Sequence, residues 1–342
     1  MTTLDTPFQV REGLHATEFK RLAVNEVPVI DFGGIYSPSF AERKKVGAAV
    51  RDACMHIGFF YIKNHAFPAS VIKRAQEAMA RFFALPVEEK MKIHYLASPN
   101  HRGYVPLKGI QADHSLKGGD LHEAIEMAHD LPEDDPHYLQ GIRFYGPNNW
   151  PANPPDFRWA LGTYFDVQLE LGATICRAMA LALDMPEDYF LKLYTKPMSR
   201  LRVCYYPPHE GKIDPAFLGI GAHTDYECFT TVWQDEPGLQ VLNAAGEWIE
   251  CPPIDGTFVV NLGDLMHRWT NDLFVSTMHR VINLSGRPRY SLAQFFGVDH
   301  DAVVEGLPTC CSPENPWRYT PITVAAHTEQ MVAKTYHYAG DS

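Results

Sequence analysis

The sequence predicts a mainly β fold, with a sandwich-like or barrel-like core braced by helices. After Pro197 the chain contains short runs rich in β-branched, aromatic and aliphatic residues, and Gly, Pro, Asn and Asp lie between them. Short strands at such spacing are typical of a β sandwich or barrel rather than of alternating β-α units. The predicted strands of this core are 201–206, 229–233, 239–242, 257–261, 277–283 and 289–296.

Helices and two further strands flank this core. The short apolar runs at 27–32 and 58–62 predict buried strands, and apolar residues at helical spacing predict helices elsewhere. The predicted helices are 41–56, 68–83, 156–183 and 328–336. The sequence contains no internal repeat and no low-complexity linker, so we expect one domain over 1–342. Its parts are a helix and strand region (1–155), a helix plus the β core (156–300), and a tail with a helix (301–342).

The composition excludes several classes of partner. The formal net charge is −11, whereas nucleic-acid binding requires a concentrated basic surface. No stretch approaches the roughly 20 apolar residues that cross a bilayer, and charged residues interrupt the first thirty positions, so neither a membrane segment nor a secretory signal is expected. The seven cysteines include no C-x-x-C pair, which disfavours a disulfide framework. We expect a cytoplasmic protein, either a monomer or a weak dimer, that acts on a small molecule.

One motif points to a metal. His223 and Asp225 are separated by one residue, and His279 follows on a strand-like segment far downstream. Positions i and i+2 of a strand share one face, so His223 and Asp225 point in the same direction. Two imidazoles and one carboxylate are the ligand set of non-haem Fe(II) sites with open coordination positions. The sequence therefore predicts a metal site at these three residues.

A second cluster competes weakly for the metal. His122, Glu126 and His129 have the spacing of one helix face. The segment lacks the second His that a zinc protease helix carries four residues after the first. A solvent-exposed helix is the better interpretation of this segment.

A carboxylate-binding pair follows the third ligand. Arg289 and Ser291 share a strand face, and an Arg beside a hydroxyl is suited to hold a carboxylate. The segment 285–288 has turn composition, and a hairpin there would place Arg289 opposite Leu284, about 16 Å along the strand from His279. That distance leaves room for a short diacid with the shape of 2-oxoglutarate. Phe295 has the same strand parity and could form a wall of the substrate pocket.

The chain resembles the isopenicillin N synthase-like family of Fe(II)/2-oxoglutarate-dependent oxygenases over nearly its whole length. The HTD and RYS segments are specific in this combination. The segments that carry the resemblance are VPVIDF (27–32), GFFYIKNHAF (58–67), FFALPVEEK (82–90), GPNNWP (146–151), LRVCYYPP (201–208), GAHTDY (221–226), NLGDLMHRWTND (261–272), STMHRVIN (276–283) and RYSLAQFF (289–296).

The resemblance implies a fold and a set of site residues. The fold would be a distorted double-stranded β-helix, or jelly roll, with N-terminal helices. His223, Asp225 and His279 match the family's iron ligands. The residues that match the 2-oxoglutarate pocket are Arg289, Ser291 and Tyr206, together with Cys204 at a position where many relatives carry an Asn.

The resemblance also implies an activity. An enzyme of this family uses Fe(II), 2-oxoglutarate and O2 to oxidise a C–H bond of a small organic molecule, by hydroxylation, desaturation or ring closure, and releases succinate and CO2. The sequence leaves two alternatives open. One is an Fe(II) oxidase of the same family that needs no 2-oxoglutarate, and the other is a non-catalytic ligand-binding module.

Overall fold

The structure is a computed structural model that describes residues 27–113, 120–142, 144–208 and 218–336. The described chain contains strands that build two larger sheets and one small pair. The strands are β1 (Val29–Asp31), β2 (Phe59–Lys63), β3 (Gly103–Val105), β4 (Glu123–Ala128), β5 (Arg200–Tyr206), β6 (Ile220–His223), β7 (Phe229–Gln234), β8 (Leu239–Leu242), β9 (Trp248–Glu250), β10 (Phe258–Leu262), β11 (His279–Val281), β12 (Arg289–Phe296), β13 (Val303–Val304) and β14 (Ile322–Thr323).

Helices precede and follow the sheets and also lie between their strands. The α-helices are α1 (Phe40–His56), α2 (Ala69–Phe83), α3 (Val87–Lys90), α4 (Pro136–Leu139), α5 (Phe157–Ala182), α6 (Asp264–Trp269) and α7 (Val324–Tyr336). Four short 3₁₀ helices are described at Phe32–Tyr36, Met91–Ile93, Tyr95–Ala97 and Phe190–Leu193. Within the described residues, no helix is long and apolar enough to pass through a bilayer.

The major sheet has the order β1-β2-β10-β7-β12-β5-β4-β3, and the minor sheet has the order β6-β11-β8-β9. Strands of the N-terminal region thus pair with strands of the β core. All neighbours are antiparallel except β1 and β2. The predicted mainly β fold with flanking helices is confirmed, and its core is the double-stranded β-helix of this fold class.

Alternate residues of the major sheet enter two different apolar cores. In β2, Phe60 and Ile62 pack with the helices, whereas Phe59 and Tyr61 pack with residues of the minor sheet such as Val241. A strand that is buried on both faces reads as a continuous apolar run, which is why 58–62 is recognisable in the sequence. The second core, between the two sheets, is the side on which the predicted site residues lie.

Two sequence-based expectations were wrong. Residues 123–128, within the segment expected to be an exposed helix, form strand β4 between β3 and β5. Glu, Ala and Met favour helices, but pairing with two neighbouring strands overrides that weak preference. The expected hairpin around Gly286 does not form either, because β11 belongs to the minor sheet and β12 to the major sheet.

Helix α5 contacts the major sheet closely at Gly172. A Cβ there would lie 2.3 Å from Cε1 of Phe296 and 2.6 Å from the hydroxyl of Tyr194. By contrast, a Cβ on Gly162 of the same helix would meet no heavy atom within 4 Å. Gly172 is therefore required by packing, whereas Gly162 is not.

We predict that Gly172→Ala lowers the free energy of unfolding by about 1–3 kcal/mol through overpacking against Phe296. Gly162→Ala is the matched control, and it should raise the free energy of unfolding by about 0.5–1 kcal/mol because alanine loses less backbone entropy in a helix. Urea unfolding of both variants measures the difference. A Gly172→Ala protein as stable as the wild type would contradict this packing account.

Candidate active site

The three predicted metal ligands meet at one end of the minor sheet. His223 is the last residue of β6 and His279 the first of β11, and the two are direct partners in the antiparallel pair. Asp225 lies two residues beyond His223. One ligand atom from each side chain lies within 4.8 Å of the others, and Asp225 and His279 are buried. The structure thus brings the triad together as the sequence predicts.

Hydrogen bonds orient both imidazoles. Nδ1 of His223 lies 2.8 Å from the carbonyl oxygen of Gly221, and Nδ1 of His279 lies 3.1 Å from that of Thr277. A ring nitrogen that donates to a carbonyl leaves the other nitrogen with its lone pair. The two Nε2 atoms each lie 3.6 Å from Oδ1 of Asp225. Three donor atoms therefore face one small volume.

The Asp225 carboxylate is held from the major sheet. Its Oδ2 accepts hydrogen bonds from Thr230 of β7 at 2.5 Å and from Asn261 of β10 at 2.7 Å. Burial raises the pKa of Asp225, but the two imidazoles and these two donors outweigh burial, and its net pKa lies below the usual value. The carboxylate therefore stays ionised, with Oδ1 directed to the imidazoles.

His223 is held in its neutral form. Burial, followed by repulsion from the neighbouring His279, lowers the pKa of His223 from 6.5 to about 4. A neutral imidazole is the form that binds a metal. The protonation states of Asp225 and His223 therefore match the ligand set of a 2-His-1-carboxylate iron site.

Arg289 lies on the inner face of β12 and is 1% exposed. Its Nε donates to the carbonyl of Glu236 at 3.1 Å, and one terminal nitrogen, Nη2, donates to Gln234 at 2.6 Å. The other terminal nitrogen, Nη1, has no partner among the described residues although it is buried. A buried guanidinium nitrogen without an acceptor is costly, and a carboxylate is its natural partner.

The other predicted residues of the carboxylate pocket surround Arg289. In the register of β5 and β12, Tyr206 is the partner of Arg289 and Cys204 the partner of Ser291. The Arg289 guanidinium carbon lies 4.5 Å from the centre of the Tyr206 ring, and Ser291 and Cys204 both contact the Tyr206 hydroxyl. Burial raises the pKa of the Cys204 thiol. Cys204 is therefore a neutral, buried member of this group.

Sequence reasoning missed His122, which also belongs to this pocket. Its ring centre lies 5.6 Å from that of Tyr206, and its Nδ1 lies 2.9 Å from the carbonyl oxygen of Gly219. The side chain is 2% exposed, and Nε2 has no partner among the described residues. The sequence spacing predicts a helix face for His122, whereas in the structure it directly precedes β4, which pairs with the strand of Tyr206.

Asp120 is a second residue that the sequence did not indicate. One of its carboxylate oxygens accepts from the backbone N–H of Gly221 at 2.9 Å, and the other from that of Ala112 at 2.8 Å. Gly221 supplies the carbonyl that orients His223. Asp120 therefore fixes the backbone that positions a metal ligand.

A cavity opens beside the triad. His223, Asp225 and Phe295 form part of its wall. The remaining wall is mixed apolar and charged. Its residues are Ile110, Ala112, Glu126, Arg200, Arg202, Ile220, Thr224, Tyr226, Glu227 and Val332.

Comparisons with known families agree with this geometry. The N-terminal model of the non-haem dioxygenases in morphine synthesis matches residues 27–153, and the model of the 2OG-Fe(II) oxygenase superfamily matches residues 197–298. The second match contains the metal triad and the Arg289 pocket.

Individual proteins match over most of the chain. The 2-oxoglutarate-Fe(II) type oxidoreductase hxnY of Emericella nidulans is 39% identical, covering 92% of this chain and 90% of that protein. A homoarginine-6-hydroxylase of Glycine max is 36% identical over 86% of this chain and 90% of its own. A solved structure of a full-length Neurospora crassa protein in complex with alpha-KG is 30% identical with a TM-score of 0.82, covering 93% of this chain and 100% of that chain.

The chain belongs to the 2OG-Fe(II) oxygenase superfamily, in its isopenicillin N synthase-like branch. It is an Fe(II)- and 2-oxoglutarate-dependent oxygenase that uses O2, so the predicted enzyme class and cofactors are confirmed. Its residues fit these groups. The donor set of the triad suits Fe(II), and the unpartnered Nη1 of Arg289 suits a carboxylate.

We predict that Thr230→Val weakens Fe(II) binding by roughly 10-fold or more, since hydrogen-bond partners of metal ligands contribute about 10–100-fold to metal affinity. Thr231→Val is the control, because Thr231 bonds Gln168 of α5, away from the metal site. Anaerobic metal titration of both variants measures the effect. Equal affinities in the two variants would mean that Thr230 does not support Asp225.

The metal-free protein should lose stability as the pH falls below about 6.5. His223 and His122 both have folded-state pKa values below the ordinary histidine value of 6.5, so the unfolded state binds more protons in this range. Their contribution is complete above pH 6.5 and declines as the pH falls toward about 4. Urea unfolding across this range should show a shallower decline for His122→Gln, and an unchanged slope would contradict the assignment of a buried neutral His122.

Proposed function

We propose that His223, Asp225 and His279 bind Fe(II) through Nε2, Oδ1 and Nε2. The observation that carries this proposal is that every other polar atom of the three groups already has a protein partner. Nδ1 of each imidazole contacts a backbone carbonyl, and Oδ2 of Asp225 accepts from Thr230 and Asn261. The three remaining atoms, Nε2 of each imidazole and Oδ1 of Asp225, face one another and are available to bind one metal ion.

We propose that Arg289 holds the distal carboxylate of 2-oxoglutarate. Its Nη1 would donate to one carboxylate oxygen, and the hydroxyls of Ser291 and Tyr206 lie beside it as further donors. Cys204 then packs against the chain of the cosubstrate as a neutral thiol, since burial raises the pKa of that thiol and keeps it protonated. The 2-oxo acid end of the cosubstrate would then be free to bind the metal held by the triad.

Fe(II), 2-oxoglutarate and O2 supply the oxidising chemistry, in which the cosubstrate becomes succinate and CO2 and a C–H bond of the substrate is oxidised. The chain supplies position and environment. His223, Asp225 and His279 would hold Fe(II) as its three protein ligands. The buried Arg289 pocket fixes the cosubstrate and excludes water, and the cavity beside the triad holds the substrate.

The substrate is proposed to be a small organic molecule bound against Phe295. Supporting this class of ligand, the cavity beside His223 and Asp225 is concave and is lined by apolar side chains together with a few polar and charged ones. The relatives provide two substrates to test first, because one solved structure of the Neurospora crassa protein contains thymine and the Glycine max relative is a homoarginine hydroxylase.

We propose that the chain forms one domain and acts in the cytosol as a monomer or weak dimer. Supporting one domain, β1 to β4 and the core strands share the major sheet. All seven cysteines are free thiols, which agrees with a reducing compartment.

The test of this function is 2-oxoglutarate-dependent turnover. Purified protein with Fe(II), O2 and a metabolite mixture should form succinate and CO2 only when 2-oxoglutarate is added, and Asp225→Ala should abolish this. Substrate oxidation that proceeds without 2-oxoglutarate would identify an oxidase of the same family instead. Absence of succinate and of O2 consumption with all components present would support a non-catalytic binding module.

We predict that Arg289→Lys raises the KM for 2-oxoglutarate by roughly tenfold or more, since lysine cannot reproduce the planar set of donors. Arg287→Lys is the matched control, because Arg287 lies two residues away, is exposed and pairs with Glu236 on the surface. Steady-state succinate formation measures both. Equal KM values for the two variants would argue against the Arg289 pocket as the cosubstrate site.

A further inference from the structure

The inner face of β5 changes in chemistry along its length. Tyr206 and Cys204 lie at the cosubstrate end, opposite Arg289 and Ser291. Arg202 and Arg200, two and four residues before Cys204, occupy the same face, opposite Ala293 and Phe295. Successive inner positions are separated by about 7 Å. Arg202 therefore lies beyond the cosubstrate pocket, in the cavity beside the triad.

Arg202 is paired with a buried acid on the neighbouring strand. Glu126 of β4 is its direct partner in the register, and Nε of Arg202 lies 3.1 Å from Oε1 of Glu126. Glu126 is 7% exposed, and both side chains line the cavity. The pair joins through Nε and one carboxylate oxygen, so the cavity wall contains a guanidinium donor directly beside a carboxylate acceptor.

The other charges of the cavity wall are also paired. Arg200 lies 2.5 Å from Glu227, and the Arg200 guanidinium lies over the Phe295 ring at 5.4 Å. Asp225 faces the two imidazoles. Among the described residues that line this cavity, each Arg and each Glu therefore contacts a side chain of opposite charge, and the one Asp is part of the metal triad.

This balance selects against charged substrates. A carboxylate bound to Arg202 would lie beside the Glu126 carboxylate and be repelled by it, and a cation bound to Glu126 would be repelled by Arg202, unless the pair separated. Breaking a buried pair leaves an uncompensated charge at a high free-energy cost. A neutral molecule with a hydrogen-bond donor beside an acceptor can bind both members of the pair without separating them.

We propose, on the basis of the oxygenase function above, that the substrate is a small neutral cyclic amide. Its carbonyl accepts a hydrogen bond from Arg202, and its N–H donates to Glu126. The ring packs on the apolar wall formed by Phe295 and Ile220. This arrangement places a ring carbon of the substrate on the side of the cavity where His223 and Asp225 lie.

The first arm of the test uses the wild-type protein loaded anaerobically with Fe(II) and 2-oxoglutarate. Probe binding is measured by the change in the absorption band that forms when both are bound. Thymine, uracil and 2-pyrrolidone are the neutral probes, 1,3-dimethyluracil lacks the N–H donor, and L-homoarginine and benzoate are charged. We expect the neutral amides to bind and to stimulate succinate formation. The dimethylated compound should bind roughly tenfold more weakly, as expected for one lost hydrogen bond to a charged group.

The second arm compares Glu126→Gln with Glu123→Gln. Glu123 lies on the same strand, and it forms an ion pair with Lys90 at 2.5 Å, outside the cavity lining. We expect Glu126→Gln to weaken binding of the neutral amide roughly tenfold and to strengthen benzoate binding, because Arg202 then lacks its carboxylate. Glu123→Gln should leave both affinities unchanged.

The outcomes separate this proposal from the function on which it rests. If the iron and 2-oxoglutarate band does not form in the wild type, the proposed function is wrong and this proposal fails with it. If the band forms but L-homoarginine or benzoate stimulates succinate formation and no neutral amide does, the substrate class alone is wrong. If the two Gln variants changed the affinities for the amide and for benzoate equally, the Glu126–Arg202 pair would not bind the substrate and the proposal would be wrong. The wild-type panel keeps the test valid if Glu126→Gln does not fold.

Discussion

The site depends on one interaction, the anchoring of the Asp225 carboxylate across the two sheets. Asp225 lies two residues after the end of β6 in the minor sheet, yet its Oδ2 accepts hydrogen bonds from Thr230 and Asn261 of the major sheet. The backbone supports the same junction, since the N–H of Asp264 donates to the carbonyl of Asp225 at 2.8 Å. A Cβ on Gly263 would lie 2.2 Å from the carbonyl oxygen of Glu227. Close packing of this turn thus sets where the carboxylate points.

The same junction explains the position of the imidazoles. His223 and His279 are fixed by pairing within the minor sheet, so their location relative to Asp225 depends on how that sheet faces the major one. Major-sheet residues hold the cosubstrate pocket and the charged wall of the cavity. Aligning the metal with both pockets therefore depends on how the two sheets pack and on the turn after β6 that contains Asp225.

The sequence predicts those features that depend on local pattern. Period-two spacing places His223 with Asp225 and Arg289 with Ser291, and a run of apolar residues identifies β2. It does not predict contacts made by pairing between distant strands. Asn261 and Asp120 contact the site across long sequence separations, and Thr230 reaches Asp225 through the turn between β6 and β7. The spacing of His122 and Glu126 predicts one face of a helix, whereas the structure places Glu126 in β4 and His122 directly before it. The expected hairpin at Gly286 was wrong for the same reason, since only the sheet topology shows that β11 and β12 separate.

The most direct measurement is a crystal structure of the protein with Fe(II) and 2-oxoglutarate, prepared without oxygen. We expect a metal ion bound by Nε2 of His223, Oδ1 of Asp225 and Nε2 of His279, and a cosubstrate carboxylate bonded to Nη1 of Arg289. A metal bound without one of these three residues, or a cosubstrate carboxylate held away from Arg289, would contradict it.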